Sequence, residues 1–194
     1  MSTVVLFHHV LGLTPGIEAF ADTLRGVGHT VRTPDLFAGR TFPELSAGLA
    51  YVEQLGEDEL GRRAAAACAD LPPNVVYAGF SLGASVAQRL LQSRQGAAGA
   101  IFLHAFVDPE LLPGAWPINC PVEVYATERD PFFVGDGDYQ AAQACQERYG
   151  NLRLHLYPGR GHLVCEPASP DYDPAVADLL TQNVLAALTR MDEA

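Results

Sequence analysis

Short apolar runs alternate along this chain with longer amphipathic stretches. Thr3-Val4-Val5-Leu6-Phe7 is continuously apolar, ends in His8-His9 and has no hairpin partner nearby, which predicts a strand buried on both faces of a parallel sheet. After the turn Gly12-Leu13-Thr14-Pro15, the residues Ile17, Phe20, Ala21 and Leu24 follow helical spacing, and Gly26 and Gly28 stop the helix. A short strand is expected over residues 29–33, then a loop through Pro43, then helices over 44–55 and 57–70 ended by Leu71-Pro72-Pro73. Further strands are expected at 74–80, 99–103, 121–126 and 152–157, with a helix over 138–149 closed by Gly150. The last helix opens at Asp173-Pro174, an N-cap followed by proline at the first helical position, and carries Val176, Leu180, Val184 and Leu188 on one face. Strand–helix alternation over the whole length predicts an α/β fold in one domain, 1–194, with a mostly parallel sheet of about six strands and helices on both faces. In such sheets ligands bind beyond the carboxyl ends of the strands.

Composition narrows the chemistry. The chain has 194 residues, 48% of them hydrophobic, enough for one domain that buries roughly 70% of its unfolded surface. A net charge of −11 repels phosphate backbones and anionic lipid, so neither a nucleic-acid partner nor a membrane partner is expected. Residues 1–7 have no basic n-region and too short an apolar run for a signal peptide, so a cytoplasmic location is expected. Cys68, Cys120, Cys145 and Cys165 lack paired spacing and read as reduced thiols rather than a zinc or redox site. All 12 basic residues are arginine, which removes Schiff-base, P-loop and Ser-Lys chemistries, each of which needs a lysine amine.

The sharpest feature is Gly79-Phe80-Ser81-Leu82-Gly83, where a predicted strand runs straight into a predicted helix. Gly-x-Ser-x-Gly in that context is a nucleophile elbow: small residues let strand and helix approach, and the tight turn presents the serine hydroxyl above the sheet. A serine hydroxyl needs a base, and the base needs a partner that fixes its tautomer. His162, in the glycine-bearing loop after the last strand, is the candidate base. Asp130, after the strand ending at Ala126, is the candidate partner, with Glu128 and Asp108 as rivals; for either aspartate the plainer role is a turn residue before proline. The backbone amides of Val10 and Leu82 are placed to form an oxyanion hole.

Four stretches, Phe7-His8-His9-Val10-Leu11-Gly12, Pro34-Asp35-Leu36-Phe37-Ala38, Gly79-Phe80-Ser81-Leu82-Gly83 and Gly159-Arg160-Gly161-His162, resemble the dienelactone hydrolase family of α/β-hydrolases. The resemblance implies a minimal α/β-hydrolase fold whose sheet lacks two strands at one edge, and a triad of Ser81, Asp130 and His162. It also marks three departures. The family's founding enzymes carry cysteine where this chain has Ser81, and a glutamate where it has His9. They hold a substrate carboxylate with arginines, one of them shortly after the catalytic histidine, where this chain has Glu166. A carboxylate there would repel an anion, and only Arg40 or Arg129, turned inward, could restore an anion site.

His8, His9, His104 and His162 all fall at strand ends. Adjacent residues on a strand point to opposite faces, so one of His8 and His9 is expected to line the pocket with His104 and the other to bond within the scaffold. His9 and His104 are therefore candidate substrate-binding residues; no metal and no cofactor are expected. Cys165, near His162 but without an elbow, is expected to pack. The expected activity is hydrolysis of a small ester or lactone through an acyl-enzyme on Ser81. The alternatives are a non-catalytic small-molecule binder on the same fold and a metal-dependent hydrolase using His9 and His104.

Overall fold

The computed structural model describes residues 1–193. Six strands, β1 (Thr3–Phe7), β2 (Thr30–Arg32), β3 (Val76–Phe80), β4 (Gly99–Leu103), β5 (Val122–Thr127) and β6 (Leu152–Tyr157), form one sheet in the order β2-β1-β3-β4-β5-β6. Every pairing is parallel. The helices are α1 (Pro15–Gly26), α2 (Leu45–Leu55), α3 (Glu57–Ala67), α4 (Leu82–Ser93), α5 (Pro131–Gly135), α6 (Asp138–Tyr149) and α7 (Pro174–Asp192).

Alternation along each strand divides the core in two. Val4 and Leu6, Val76 and Ala78, and Ile101 and Leu103 pack with the apolar stripes of α1 and α7 on one face. Val5 and Phe7, Tyr77, and Ala100 and Phe102 pack with α3, α4 and α6 on the other. Because both faces are covered, β1, β3 and β4 show no polar alternation, the reason their sequences read as unbroken apolar runs.

Helix ends follow local chemistry. The Thr14 hydroxyl accepts from the Ile17 amide, with Pro15 at the first helical turn of α1. Asp173 caps α7 through the amides of Ala175 and Val176. The five-residue helix α5 lies in a segment that periodicity leaves as a connection, because one turn and a half is too short to show a helical repeat. Its signature is nevertheless the Asp-Pro pair that opens α7: Asp130 accepts from the amides of Phe132 and Phe133, and Pro131 follows.

Strand order reverses between β1 and β3, which are neighbours although β2 intervenes in sequence. This switch point opens a crevice beyond the carboxyl ends of the strands, and the loops after β1, β3, β5 and β6 converge there.

Candidate active site

Ser81 is the first residue past β3 and the N-cap of α4, with φ 51° and ψ −115°. A left-handed φ on a residue with a Cβ stores about 1–3 kcal/mol of strain. The surroundings hold it: the Ser81 amide donates to Leu103 O at 2.7 Å, and Ser81 O accepts from the Ala84 amide at 2.8 Å. Both flanking glycines are required by contact. A Cβ on Gly79 would lie 2.1 Å from Gly83 O, and one on Gly83 would lie 2.3 Å from Phe7 O. The Ser81 hydroxyl makes no cap bond to α4, so it is free for another partner.

That partner is His162. Ser81 Oγ lies 2.8 Å from His162 Nε2, and His162 Nδ1 lies 2.8 Å from Asp130 Oδ2. The Asp130 carboxylate, 0% exposed, divides its oxygens: Oδ1 caps α5 while Oδ2 faces the imidazole. With Nδ1–H donated to the carboxylate, Nε2 is left to accept the serine proton. The other acids take no part in this chain of bonds. Asp108 accepts from the Glu110 amide at a short 3₁₀ turn, and both it and Glu128 are exposed.

The loop carrying His162 is held from two sides. Its amide donates to Asp171 Oδ2 at 3.0 Å, and Thr127 Oγ1 donates to Gly161 O at 2.9 Å. Phe132, from α5, packs with its ring centroid 4.6 Å from that of His162 and lines the cavity beside it. Val10 and Leu82 border the same cavity as Ser81, and their amides find no acceptor among the described residues. Leu82 N–H also sits at the N-terminus of α4, where the helix dipole favours negative charge.

The space in front of Ser81 is a cavity of about 200 Å³. Leu45, Leu49 and Val52 of α2 give it an apolar wall, and Asp136 and Asp138 an acidic one. Burial pushes the Asp138 carboxyl up to about 6, although it accepts from the Phe106 amide. No arginine lines the cavity. Arg129 is exposed, and the Arg40 guanidinium lies over the Tyr51 ring, 5.2 Å from its centroid.

The other histidines divide differently from expectation. His104 borders the cavity, is fully buried, adopts φ 66°, and has no partner on either ring nitrogen. Burial, with His162 and His9 nearby, drives its pKa well down and keeps it neutral. His8 and His9 do lie on opposite sides, against Phe37 and Phe80 respectively, but neither lines the Ser81 cavity. His8 Nε2 accepts from the Leu36 amide. His9 is turned to Glu166, with Nε2 3.0 Å from Oε2, and its Nδ1 accepts from the Leu11 amide.

Glu166 is therefore placed otherwise than expected. It is buried beneath the loops, where it takes His9, the Thr14 hydroxyl at 2.5 Å and the Ala168 amide, and these bonds hold its pKa down against the opposing effect of burial. The acids that line the cavity are Asp136 and Asp138, which sequence reasoning missed because one closes α5 and the other opens α6 with no local sign of their direction. Burial pushes the Cys165 thiol up to about 12, so it stays protonated. Among the described residues no three His, Cys, Asp or Glu side chains gather as a metal-ligand set, and no helix is long and apolar enough to cross a membrane.

A parallel sheet with a serine elbow at its switch point and a histidine in the loop after the last strand defines an α/β-hydrolase. Residues 1–191 match the profile of the dienelactone hydrolase family, and the chain belongs to that family. Similar solved structures include a dienelactone hydrolase-like promiscuous phosphotriesterase from metagenomic libraries, with TM-score 0.83 at 19% identity over 98% of this chain and 87% of that one. The dienelactone hydrolase of Anabaena variabilis gives TM-score 0.69 at 17% identity over 96% and 84%. Esterase PE8 gives 0.63 at 19% over 94% and 91%. These likenesses show a shared fold. No curated protein matches the chain in sequence.

Proposed function

We propose that this protein is a serine hydrolase that cleaves small uncharged esters or lactones through an acyl-enzyme on Ser81. The observation that carries the reading is the continuous relay Ser81 Oγ–His162 Nε2 and His162 Nδ1–Asp130 Oδ2, both links 2.8 Å, ending on a serine whose strained backbone is held in place by two obligatory glycines. Ser81 Oγ attacks the carbonyl carbon while its proton passes to His162 Nε2. The carbonyl oxygen becomes an oxyanion beside the Val10 and Leu82 amides, where each donor is worth roughly 3–4 kcal/mol. Collapse of the tetrahedral adduct breaks the ester bond, and the departing alkoxide takes the proton from His162. Water then attacks the acyl group, gives its proton to the same nitrogen, and Ser81 Oγ leaves with it. Asp130 keeps the imidazole in the required tautomer and stabilises the imidazolium.

Substrate charge follows from the lining. With Asp136 and Asp138 at the cavity and no arginine there, a carboxylate-bearing lactone meets repulsion without compensation, so the substrates are neutral at the reacting end. The esterase and phosphotriesterase activities named for two structural neighbours fit acyl or phosphoryl transfer to such a serine. The reading is tested with a fluorophosphonate probe, which is expected to give a single adduct on Ser81, blocked by heat denaturation and absent in Ser81→Ala. Folded protein that takes up no probe would remove Ser81 as nucleophile.

A further inference from the structure

Beside the Ser81 cavity a second opening of about 570 Å³ runs between α3 and α4, and Leu82 and Ser85 wall both spaces. Helical geometry sets its direction. Ser85, Arg89 and Ser93 follow Ser81 at intervals of four residues and so share one face of α4; all three border the trough. At 1.5 Å per residue, Ser81 to Ser93 spans roughly 18 Å, the length of about ten or more carbon–carbon bonds of about 1.5 Å.

The facing wall is α3, whose buried Leu60 and Ala64 form its apolar base. Gly61 leaves the space above it open, since a Cβ there would meet only Arg89 Nε at 3.9 Å. The outer wall is Leu111 to Pro113, and Leu111 is 77% exposed. Leu60, Ala64, Val86 and Leu90 make the base apolar while Ser85, Arg89, Ser93, Glu57 and Asp58 edge it, so an exposed apolar side chain beside that base is covered when an apolar ligand enters. The Arg89 guanidinium is turned to the exposed Glu57, 3.9 Å away, so its charge is engaged at the trough edge.

We infer that this trough is a subsite for the apolar arm of the ester cleaved at Ser81, an unbranched alkyl or acyl chain of medium length laid along α4. The inference rests on the serine-hydrolase reading, but its failure is separable from the failure of that reading. Two ester series distinguish which side of the ester carries the arm: p-nitrophenyl alkanoates from acetate to decanoate, and alkyl acetates from ethyl to decyl. In one series kcat/KM is expected to rise about tenfold or more with chain length, as buried methylenes add to binding. Gly61→Leu, which fills the trough from a helical position that tolerates a side chain, is expected to abolish that rise and leave the shortest ester unchanged. Profiles that are flat or falling in both series, or a rise that survives Gly61→Leu, overturn the subsite. Binding gives a readout independent of turnover: in Ser81→Ala, 2-decanone is expected to raise Tm where acetone does not, and the added Gly61→Leu to remove the shift. If no ester is cleaved, the hydrolase reading falls and this measurement alone decides; a shift unaffected by Gly61→Leu, or none at all, overturns the subsite.

Discussion

Two buried histidine–carboxylate pairs stand at the same edge of the sheet. His162 meets Asp130 at 2.8 Å and His9 meets Glu166 at 3.0 Å, and all four side chains are nearly or fully buried. What separates them is the second imidazole nitrogen. In the first pair it reaches the Ser81 hydroxyl; in the second it accepts the Leu11 amide. One pair ends on a group that can react, and the other ends on backbone. The second pair therefore works as a tether: it ties the loop carrying the Val10 amide to the loop after His162, with Thr14 and Ala168 also bound to Glu166. A histidine beside a carboxylate is thus not in itself a catalytic sign, and its remaining nitrogen decides what it does.

The largest effects belong to the first pair. Ser81→Ala is expected to lower kcat for a neutral ester by roughly 10³-fold or more, and Asp130→Asn by roughly 10³ to 10⁴-fold because the amide stabilises the wrong tautomer. Asparagine still offers an oxygen to the Phe132 and Phe133 amides, so Asp130→Asn should keep its unfolding midpoint in urea. A variant that loses activity only in step with stability would make the pair structural.

The second pair should show the reverse. Glu166→Ala leaves the His9 Nε2–H, the Thr14 hydroxyl and the Ala168 amide without their acceptor, at a cost of about 3 kcal/mol in urea unfolding, with kcat lowered less than tenfold. Loss of activity on the scale of Ser81→Ala, with stability intact, would move Glu166 into the chemistry.

Acid should act through the histidines whose burial in the fold resists protonation. Burial lowers His8 to about 4 and His104 well below its usual value, so between pH 6.5 and about 4 the unfolded chain binds more protons than the folded one. Stability is complete above pH 6.5 and lost as pH falls, by about 3 kcal/mol from His8 alone. Glu166, with its pKa held down, adds a loss of the same sign once pH drops below the ordinary glutamate range. Unfolding midpoints measured from pH 7 to 4 should fall steadily, and His104→Asn, which keeps a residue tolerant of φ 66° but removes one titration, should flatten the slope. A midpoint that is constant over this range contradicts the buried neutral state.

The smallest effect concerns the cavity rim. As pH rises through about 6 Asp138 ionises, and the KM of a carboxylate-bearing ester is expected to rise roughly two- to fivefold relative to its methyl ester, with Asp138→Asn removing the dependence. An unchanged KM ratio would show that the rim charge is screened.

The strands, most of the helices and the elbow were legible in the residues because each is set by local rules: apolar runs buried on both faces, helical spacing, capping residues, and glycines where a Cβ would strike backbone. Ser81 and His162 could be named for the same reason, each standing in a short motif at a strand end. The choice of Asp130 over Asp108 was not local, since both precede proline and both cap a turn; only the packing of β5 against β6 sets one of them beside His162. Nor could sequence foresee that His9 turns from the cavity to Glu166, a partner 157 residues away, or that Asp136 and Asp138 face the site. Local propensity acts over a few residues and so determines elements and motifs. The partners of a side chain depend on which loops the sheet order brings to one edge, and that was decided by tertiary structure alone.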